Sequence, residues 1–306
     1  MQLCVCALLN HDADSCPRRT RMKNGHSSLG SSWLKPRQKL QFAQASFMKR
    51  IGRQSFDPMD FETVPISITV RELNPVFDRI RIVHISDLHL GQWMSPERLE
   101  GVVGLVNEQS PDIVAITGDF VSFAVDQVAA DLVNSFCRLR PKIVTFAVLG
   151  NHDHWMGAEK VRSVLRESNI IDLSNDVYTL RRGEAVLHFA GIDDVMAQED
   201  DLDRVLRKLP SLGPAVLLVH EPDFADIAAA TARFVLQLSG HSHGGQFVLP
   251  KIGPPFRGSH FKKYPLGRYQ VEDMVVYTNR GLGTNTFWLR INCPPEITVL
   301  TLRAGH

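Results

Sequence analysis

The chain has 306 residues, 44% of them apolar, and a formal net charge of +1. This is enough apolar material for one substantial α/β core or two small ones. The five cysteines lack the paired spacing of a thiolate metal site, and the first apolar run, residues 3–9, is too short to cross a bilayer. These features exclude a cysteine-ligated metal module and argue against a membrane-spanning leader.

Charge is distributed unevenly along the chain. Residues 1–54 contain ten Lys or Arg against two Asp, a balance of +8, so that residues 55–306 sum to −7. We expect residues 55–306 to form a single folded domain that is mildly acidic. A net negative domain argues against stable binding of nucleic acid, which usually requires a basic surface.

We expect the basic leader, residues 1–54, to be disordered, with a short amphipathic helix over residues 40–51 as a candidate interfacial segment. The alternative is that the segment is solvent-exposed or packs on the domain. An over-extended gene start, with Met48 as the true first residue, is a second hypothesis for the leader. One face of the candidate helix would carry Leu40, Ala43, Phe47 and Ile51.

From residue 65 onward, short apolar runs alternate with longer segments of helical spacing. The runs are rich in β-branched residues and predict buried strands. These predicted strands cover residues 81–86, 113–117, 143–149 and 215–219. The helical spacing predicts helices over residues 96–108, 125–139 and 158–167.

A second series of predicted strands is more hairpin-like, and Glu272-Asp273 is a candidate turn within it. We therefore predict an α/β fold. Its architecture would be a four-layer α/β/β/α sandwich, in which two facing mixed β-sheets are flanked by helices. The second series covers residues 178–180, 185–190, 234–238, 268–271, 275–278 and 297–302.

Clusters of Asp, Asn and His follow the ends of the predicted strands. In a strand–loop–helix layout, ligands gather where the strands end, so we expect a metal site there. Carboxylate and amide oxygens mixed with imidazole nitrogens suit divalent Mn, Fe, Zn, Co or Ni. The clusters read Ser86-Asp87-Leu88-His89, Gly118-Asp119, Gly150-Asn151-His152-Asp153, His220-Glu221-Pro222, Gly240-His241-Ser242-His243 and Gly244-Gly245-Gln246.

Two cations about 3.5–4 Å apart can together activate a water and neutralise a phosphate. Such a pair needs one ligand that touches both ions. A carboxylate has two oxygens, whereas an imidazole lone pair serves one metal, so we predict that Asp119 is the bridge. Glycine precedes Asp119, Asn151 and His241, and a strand that turns sharply toward a metal often needs a residue without Cβ.

The motifs, in this order, resemble those of the calcineurin-like metallophosphoesterase superfamily. The tail motifs at residues 281–284 and 290–297 narrow the likeness to its bacterial YkuE/YaeI-type phosphohydrolase branch, and the resemblance covers residues 64–302. It implies that residues 55–306 are a metallophosphoesterase catalytic domain that holds two divalent metal ions. One ion would be bound by Asp87, His89, Asp119 and His243, and the other by Asp119, Asn151, His220 and His241.

The same resemblance implies that His152 faces the substrate and assists the leaving-group oxygen. Asp153 would steer His152 or a ligand imidazole by accepting its second N–H. Three other histidines carry a different prediction. His84 and His188 are expected to be core residues with satisfied hydrogen bonds, and His154 is expected on a surface loop, with pocket lining as the alternative.

A loop without acidic residues, residues 244–271, follows the last motif. The ordinary interpretation is a solvated basic loop. Because it leaves directly from His243, our hypothesis is that it forms one wall of the cleft and holds the non-reacting part of an anionic substrate. The candidate substrate-binding residues are Arg257, Lys262 and Lys263.

We therefore predict a phosphodiesterase or phosphohydrolase that uses a metal-bridging hydroxide for in-line attack on phosphorus. The main alternative is a membrane-associated pyrophosphatase of a UDP-sugar lipid precursor; a nuclease and a non-catalytic metal-binding scaffold are the others. The substrate would be a small-molecule or lipid-linked phosphoester. We expect a cytoplasmic protein, with the N-terminal segment as a candidate peripheral contact to the inner face of the membrane.

Overall fold

A computed structural model describes residues 55–255, 257–285 and 288–305 of the protein. The predictions made for the leader, residues 1–54, fall outside these described residues. Within them there are twelve β-strands and five α-helices. The helices are α1 (Pro96–Glu108), α2 (Ala129–Phe136), α3 (Asn151–Glu167), α4 (Leu202–Lys208) and α5 (Ala225–Ala230).

The strands form two sheets of six strands each. The first sheet has the order β1 (Glu62–Val70), β12 (Glu296–Ala304), β2 (Arg81–Ile85), β3 (Ile113–Thr117), β4 (Val144–Val148) and β5 (Ile171–Asp172). The second has the order β10 (Gly267–Val271), β11 (Met274–Thr278), β9 (Leu236–Ser239), β8 (Ala215–Leu218), β7 (Ala185–Gly191) and β6 (Asp176–Arg182).

Both sheets are mixed. In the first, β2, β3, β4 and β5 run parallel, whereas β12 is antiparallel to β2 and parallel to β1. In the second, β7, β8, β9 and β11 run parallel and a hairpin closes each edge. The hairpin between β10 and β11 turns at Glu272-Asp273, as predicted, because Val271 pairs with Met274.

Side-chain alternation along the strands produces the layers. In β2, Ile82 faces the second sheet while Val83 contacts the helices, since successive residues of a strand point to opposite faces. The space between the sheets is filled by buried apolar side chains, among them Phe146 and Phe189, whose rings stack 5.0 Å apart. Helices α1, α2 and α3 cover the outer face of the first sheet, and α4 and α5 cover that of the second.

The predicted four-layer α/β/β/α architecture is therefore confirmed, with differences in detail. Strand β1 and helices α4 and α5 were missed. Helix α3 begins at Asn151 rather than at residue 158, and Gly157 interrupts it with a φ of 125°. The last strand, β12, was predicted among the hairpin-like strands of the second sheet, but it joins the first sheet. There it lies between β1 and β2. None of the helices in the described ranges combines the length and apolarity needed to cross a bilayer.

Candidate metal centre

The predicted ligands all lie at one end of the two facing sheets, immediately after the carboxyl ends of five strands. Three of these strands, β2, β3 and β4, belong to the first sheet, and two, β8 and β9, belong to the second. The site therefore spans both sheets. The ligand candidates follow their strands in the order Asp87 and His89, Asp119, Asn151, His220, and His241 and His243.

Five of these seven residues have a left-handed backbone, which non-glycine residues rarely adopt. These five residues follow the ends of β2, β3 and β9 by two or four positions, so that the chain changes direction sharply just beyond each of these strands. Clusters of strained residues of this kind are typical of functional sites. The φ angles are 50° for Asp87, 49° for His89, 57° for Asp119, 68° for His241 and 50° for His243.

Glycines permit the loops to approach one another closely. A Cβ on Gly118, whose φ is 85°, would lie 2.6 Å from the backbone nitrogen of Gly150. A Cβ on Gly240 would overlap the Ser86 hydroxyl and the Asp87 carboxylate. The glycines predicted from the sequence to aim the ligands are therefore required by contacts between loops of different strands.

One compact group of ligand atoms is formed by Asp87, His89, Asp119 and His243. One ligand atom from each of these buried residues lies within 4.8 Å of all the others. The Nε2 of His89 is 3.0 Å from the Nε2 of His243 and 3.2 Å from Oδ2 of Asp119. The Nε2 of His243 is 3.3 Å from Oδ1 of Asp87. Two carboxylates and two imidazoles at this spacing form a set of donors that suits a divalent cation.

Asp119 also faces a second set of donors. Its Oδ2 is 3.4 Å from Nε2 of His220, and the rings of His220 and His241 lie 5.0 Å apart. The Oδ1 of Asn151 is buried and has no hydrogen-bond partner in the described part of the chain. A buried amide oxygen in this state costs free energy unless it is paired, and a cation would pair it. These residues therefore fit a metal ion.

The ring orientations of two histidines are set by carbonyl groups. The Nδ1 of His220 is 2.6 Å from the carbonyl oxygen of Thr117, and the Nε2 of His241 is 3.1 Å from that of Ser259. Because a carbonyl oxygen only accepts, each of these nitrogens carries the proton. In the neutral form of each ring, the other nitrogen, Nε2 of His220 or Nδ1 of His241, then holds the lone pair that a metal requires.

The electrostatics of the site are dominated by burial and by close charges. Burial raises the pKa of the Asp119 carboxyl, but His220 and His152 outweigh this effect and hold that pKa well below its ordinary value. Burial lowers the pKa of the His243 imidazole and the neighbouring His89 lowers it further, to well below its ordinary value. Asp119 is therefore ionised and His243 neutral, the states in which both groups bind metals.

The prediction for Asp153 needs a correction. Its carboxylate accepts hydrogen bonds from the backbone N–H groups of Gly150, Asp119, Phe120 and Val121 rather than from an imidazole. Burial and the Asp119 charge raise the pKa of Asp153 to about 7. Asp153 therefore joins the first turn of α3 to the loop that carries Asp119, and it positions Asp119 through the backbone instead of steering a histidine ring.

His152 lies at the border between the buried ligands and solvent. Its backbone N–H donates to Oδ1 of Asp119 at 2.9 Å. Its half-buried ring is edge-on to the His89 ring at 4.6 Å and 5.0 Å from the Trp155 ring. His152 is thus next to the candidate metal ligands, and its position allows contact with a molecule that enters from solvent.

The loop without acidic residues, residues 244–271, contacts the site through residues other than the predicted Arg257, Lys262 and Lys263. Ser259 accepts from His241, and the Phe261 ring packs edge-on against the His241 ring at 5.4 Å. The Lys263 ammonium pairs with Asp226. The guanidinium of Arg257 donates to the carbonyl oxygen of Lys262 at 3.0 Å, and the Lys262 side chain is exposed. The loop therefore lies along the His241 side of the site, with Lys263 already paired.

Arg290 is the first residue of the tail motif at residues 290–297, and its contact with the site was not predicted. Its guanidinium donates to the carbonyl oxygens of Arg280, Gly281 and Gly283 and lies 3.4 Å from Nδ1 of His243. Guanidinium has five donors in a fixed plane, which suits the joining of several carbonyls. A lone arginine in a loop carries no sequence signal for such a role.

The remaining histidines have ordinary structural roles. His188 is bonded at both ring nitrogens, to the Thr179 hydroxyl and the Leu212 carbonyl oxygen, each at 2.8 Å. His84 bonds the Thr117 hydroxyl at 2.8 Å through one nitrogen. The structure agrees with their assignment to the core. The prediction that His154 lies on a surface loop is wrong, because His154 lies in α3. Its Nε2 is 2.7 Å from Oδ1 of Asp193.

Comparisons with known proteins agree with this geometry. The family model described as calcineurin-like phosphoesterase matches residues 80–245, which include every predicted ligand. The chain is 33% identical over 82% of its length to the uncharacterized metallophosphoesterase YkuE of Bacillus subtilis, of which 88% is covered. It is 29% identical over 72% of its length to the phosphodiesterase YaeI of Escherichia coli, of which 82% is covered.

A third relative is the uncharacterized metallophosphoesterase YkoQ of Bacillus subtilis, with 28% identity over 85% of this chain and 97% of that protein. The family model matches more than half of the chain and these relatives match 72% to 85% of it, and the buried Asp/His cluster lies where the family model matches. The chain therefore belongs to the calcineurin-like phosphoesterase family and is a hydrolase of phosphoric esters with a buried metal-binding cluster of Asp and His.

Proposed function

We propose that the protein is a phosphodiesterase-type hydrolase whose site holds two divalent ions bridged by Asp119. The observation that supports this proposal is the position of one oxygen. The Oδ2 of Asp119 is 3.2 Å from Nε2 of His89 and 3.4 Å from Nε2 of His220. The same carboxylate therefore reaches both predicted ligand sets, as a bridging ligand must.

Under this proposal Asp87, His89 and His243 complete the first set, and Asn151, His220 and His241 complete the second. The bound ions would supply Lewis-acid activation of water and neutralise charge on the phosphoryl group. Mn, Fe, Zn, Co and Ni all suit the mixture of oxygen and imidazole donors, and availability would decide which is bound. Attack on phosphorus would be in line, without a covalent enzyme intermediate.

The chain's own residues would control the leaving group. His152 lies between the His89 ring and solvent, where an ester oxygen of a bound substrate could reach it. Its imidazole would donate a proton or a hydrogen bond to that oxygen as the bond to phosphorus breaks. Asp153 would hold the turn that carries His152 in place, since it binds the backbone of residues 119–121.

For the substrate we propose a small-molecule phosphodiester. Of the predicted substrate contacts, Arg257 and Lys262 keep exposed side chains, whereas Lys263 is paired with Asp226. We therefore retain Arg257 and Lys262 as candidates for the anionic, non-reacting part of the substrate. The comparisons do not favour the lipid pyrophosphatase, the nuclease or the scaffold. Cytoplasmic location and peripheral membrane contact stay predictions, because residues 40–51 lie outside the described part.

The test combines metal analysis with two variants. The purified full chain, reconstituted with Mn, should bind two ions per molecule and hydrolyse bis-p-nitrophenyl phosphate. Asp119→Asn should lower kcat by at least about 10³-fold and leave fewer than two ions bound, because one bridging oxygen loses its charge. His152→Ala should keep both ions and lose most of kcat with alkyl leaving groups, which need a proton.

The matched control is Asp203→Asn, at an exposed position of α4 on the outer face of the second sheet, and it should change neither metal content nor turnover. A wild-type protein that binds a single ion at saturation, or an Asp119→Asn variant that keeps two ions and normal turnover, would contradict the bridged centre. A His152→Ala variant with normal turnover of an alkyl ester would remove the role assigned to His152 and leave the bridge untouched.

A further inference from the structure

Four rings form a continuous row from the buried ligands to the surface. The centroids of His243 and His89 are 4.8 Å apart, those of His89 and His152 are 4.6 Å apart, and those of His152 and Trp155 are 5.0 Å apart. His243 and His89 are buried, His152 is half-buried and Trp155 is 56% exposed. The row therefore defines a direction that leads outward from the ligand cluster and ends on an indole.

The turn that presents Trp155 is held rigidly. Asp153 binds the backbone of the Asp119 loop through both of its carboxylate oxygens, and His154 binds Asp193, which Arg162 also binds at 2.6 Å. Gly157, with a φ of 125°, then breaks the helix just beyond the turn. Such a conformation is available to glycine and costs other residues free energy. The first turn of α3 is thus oriented separately from the rest of the helix.

Within this turn, the two residues before Trp155 are held by hydrogen bonds, Asp153 to the Asp119 loop and His154 to Asp193. His152 and Trp155 are three positions apart, so that they lie on the same face of the helix, and on this face the His152 ring also contacts the His89 ring. A large apolar ring that is more than half exposed gains little from folding. Its contact is with the His152 ring, which lies at the leaving-group position of the proposed reaction.

We infer that Trp155 is a specificity-determining residue whose indole stacks on a flat aromatic ring in the leaving group of the phosphoester. The inference rests on the proposed function, because it uses the leaving-group role of His152. A phosphoryl group at the Asp119 ligand set would place its ester oxygen near His152. The organic group on that oxygen would then extend along the row toward the indole of Trp155, which is 56% exposed. Offset stacking of aromatic rings at this spacing is favourable.

The test measures binding rather than turnover. Inorganic phosphate, methylphosphonate and phenylphosphonate are titrated by calorimetry into the Mn-loaded full chain and its variants. The two phosphonates carry the same charged group and differ in the phenyl ring. Trp155→Ala should weaken phenylphosphonate by about tenfold, the effect of losing one ring contact, and leave methylphosphonate within about twofold. Trp155→Phe should keep most of the preference for the phenyl compound.

Leu212→Ala is the matched control, since Leu212 is an exposed apolar residue before the amino end of β8, away from the ligand edge. It should leave all three affinities unchanged. Phosphate binding with an unchanged phenyl-to-methyl ratio in Trp155→Ala would overturn the inference about Trp155 alone. An equal loss of both phosphonates would do so too, because it would indicate a disturbed turn. A wild-type protein that binds no phosphate would overturn the proposed function together with this inference.

Discussion

The carboxyl edge of the two sheets and the space between the sheets are built from the same strands, yet they differ in how polar groups are treated. Between the sheets the side chains are mostly apolar, and a polar group there such as the Tyr277 hydroxyl is hydrogen-bonded, in this case to Oε1 of Glu296. At the edge, carboxylates and imidazoles are crowded within 4.8 Å of one another. The interior is arranged for stability, and the edge is arranged to receive a ligand.

Backbone conformation shows the same difference. Strands β2, β3, β8 and β9 keep regular register with their neighbours, whereas the residues that follow them include five non-glycine residues with a φ between 49° and 68°. Each such residue costs on the order of 1 kcal/mol. The burial of apolar side chains between the sheets offsets this cost. The five ligand residues can therefore keep an unfavourable backbone conformation while the protein stays folded.

The largest effect that would sharpen this comparison is expected at Gly240, on the edge. In Gly240→Ala the new methyl group would overlap the Asp87 carboxylate and the Ser86 hydroxyl, so we expect loss of metal binding and of nearly all phosphodiesterase activity. Gly104→Ala in α1 is the matched control, because no atom lies within 4 Å of its Cβ. It should raise the free energy of unfolding by about 0.5–1 kcal/mol. A Gly240→Ala protein with normal metal content would break the comparison.

An intermediate effect is expected in the interior. Phe146 is fully buried between the sheets, and Phe146→Ala should lower the free energy of unfolding by about 3–5 kcal/mol through lost contacts and a cavity. Chemical denaturation measures this change. Metal content per folded molecule and kcat at low temperature should stay near the wild-type values. If kcat fell in proportion to stability, the interior and the edge would not be separable.

The smallest effect concerns the pair of His154 and Asp193, which anchors the first turn of α3. Burial lowers the pKa of His154, but the hydrogen bond and charge of Asp193 raise it more, so that it lies above its ordinary value. The stabilisation is therefore fully present below the unfolded pKa of about 6.5 and is lost as pH rises through the folded pKa. His154→Gln should cost about 1 kcal/mol at pH 6 and less at pH 9.

Thermal unfolding is measured at both pH values for the wild type, His154→Gln, Asp193→Asn and the double variant. This double-mutant cycle gives the interaction free energy between His154 and Asp193. Equal destabilisation by His154→Gln at both pH values would show that the imidazole contributes as a neutral group. A larger loss at pH 9 would reverse the expected sign.

Local pattern was sufficient to predict the strands that carry the site. The runs at residues 81–86 and 113–117 were placed to within one residue, because a run of β-branched residues followed by polar loop residues is a short-range signal. Strand β1 was missed because its exposed polar positions and Pro65 weaken that signal. Helix α3 was predicted to begin late, because the residues of its first turn are selected for the site and not for helical amphipathicity.

The role of Asp153 shows a different limit. From sequence, an Asp beside a histidine suggests a partner for its ring, whereas in the fold both oxygens of Asp153 bind backbone groups of the Asp119 loop, more than thirty positions earlier. The loop bearing Lys263 was likewise expected to offer its charge to a substrate, but Asp226 of α5 binds that charge first. Both outcomes depend on which segments the fold brings together.

The sequence by itself determined the types of ligand, their order along the chain and their position after buried strands, because these properties follow from composition and short-range periodicity. Only the tertiary structure decided that β12 lies between β1 and β2, that Ser259 orients His241 and that the indole of Trp155 ends a row of rings. These are contacts between distant segments, and hydrogen bonds and packing across such distances leave no periodic trace in the chain.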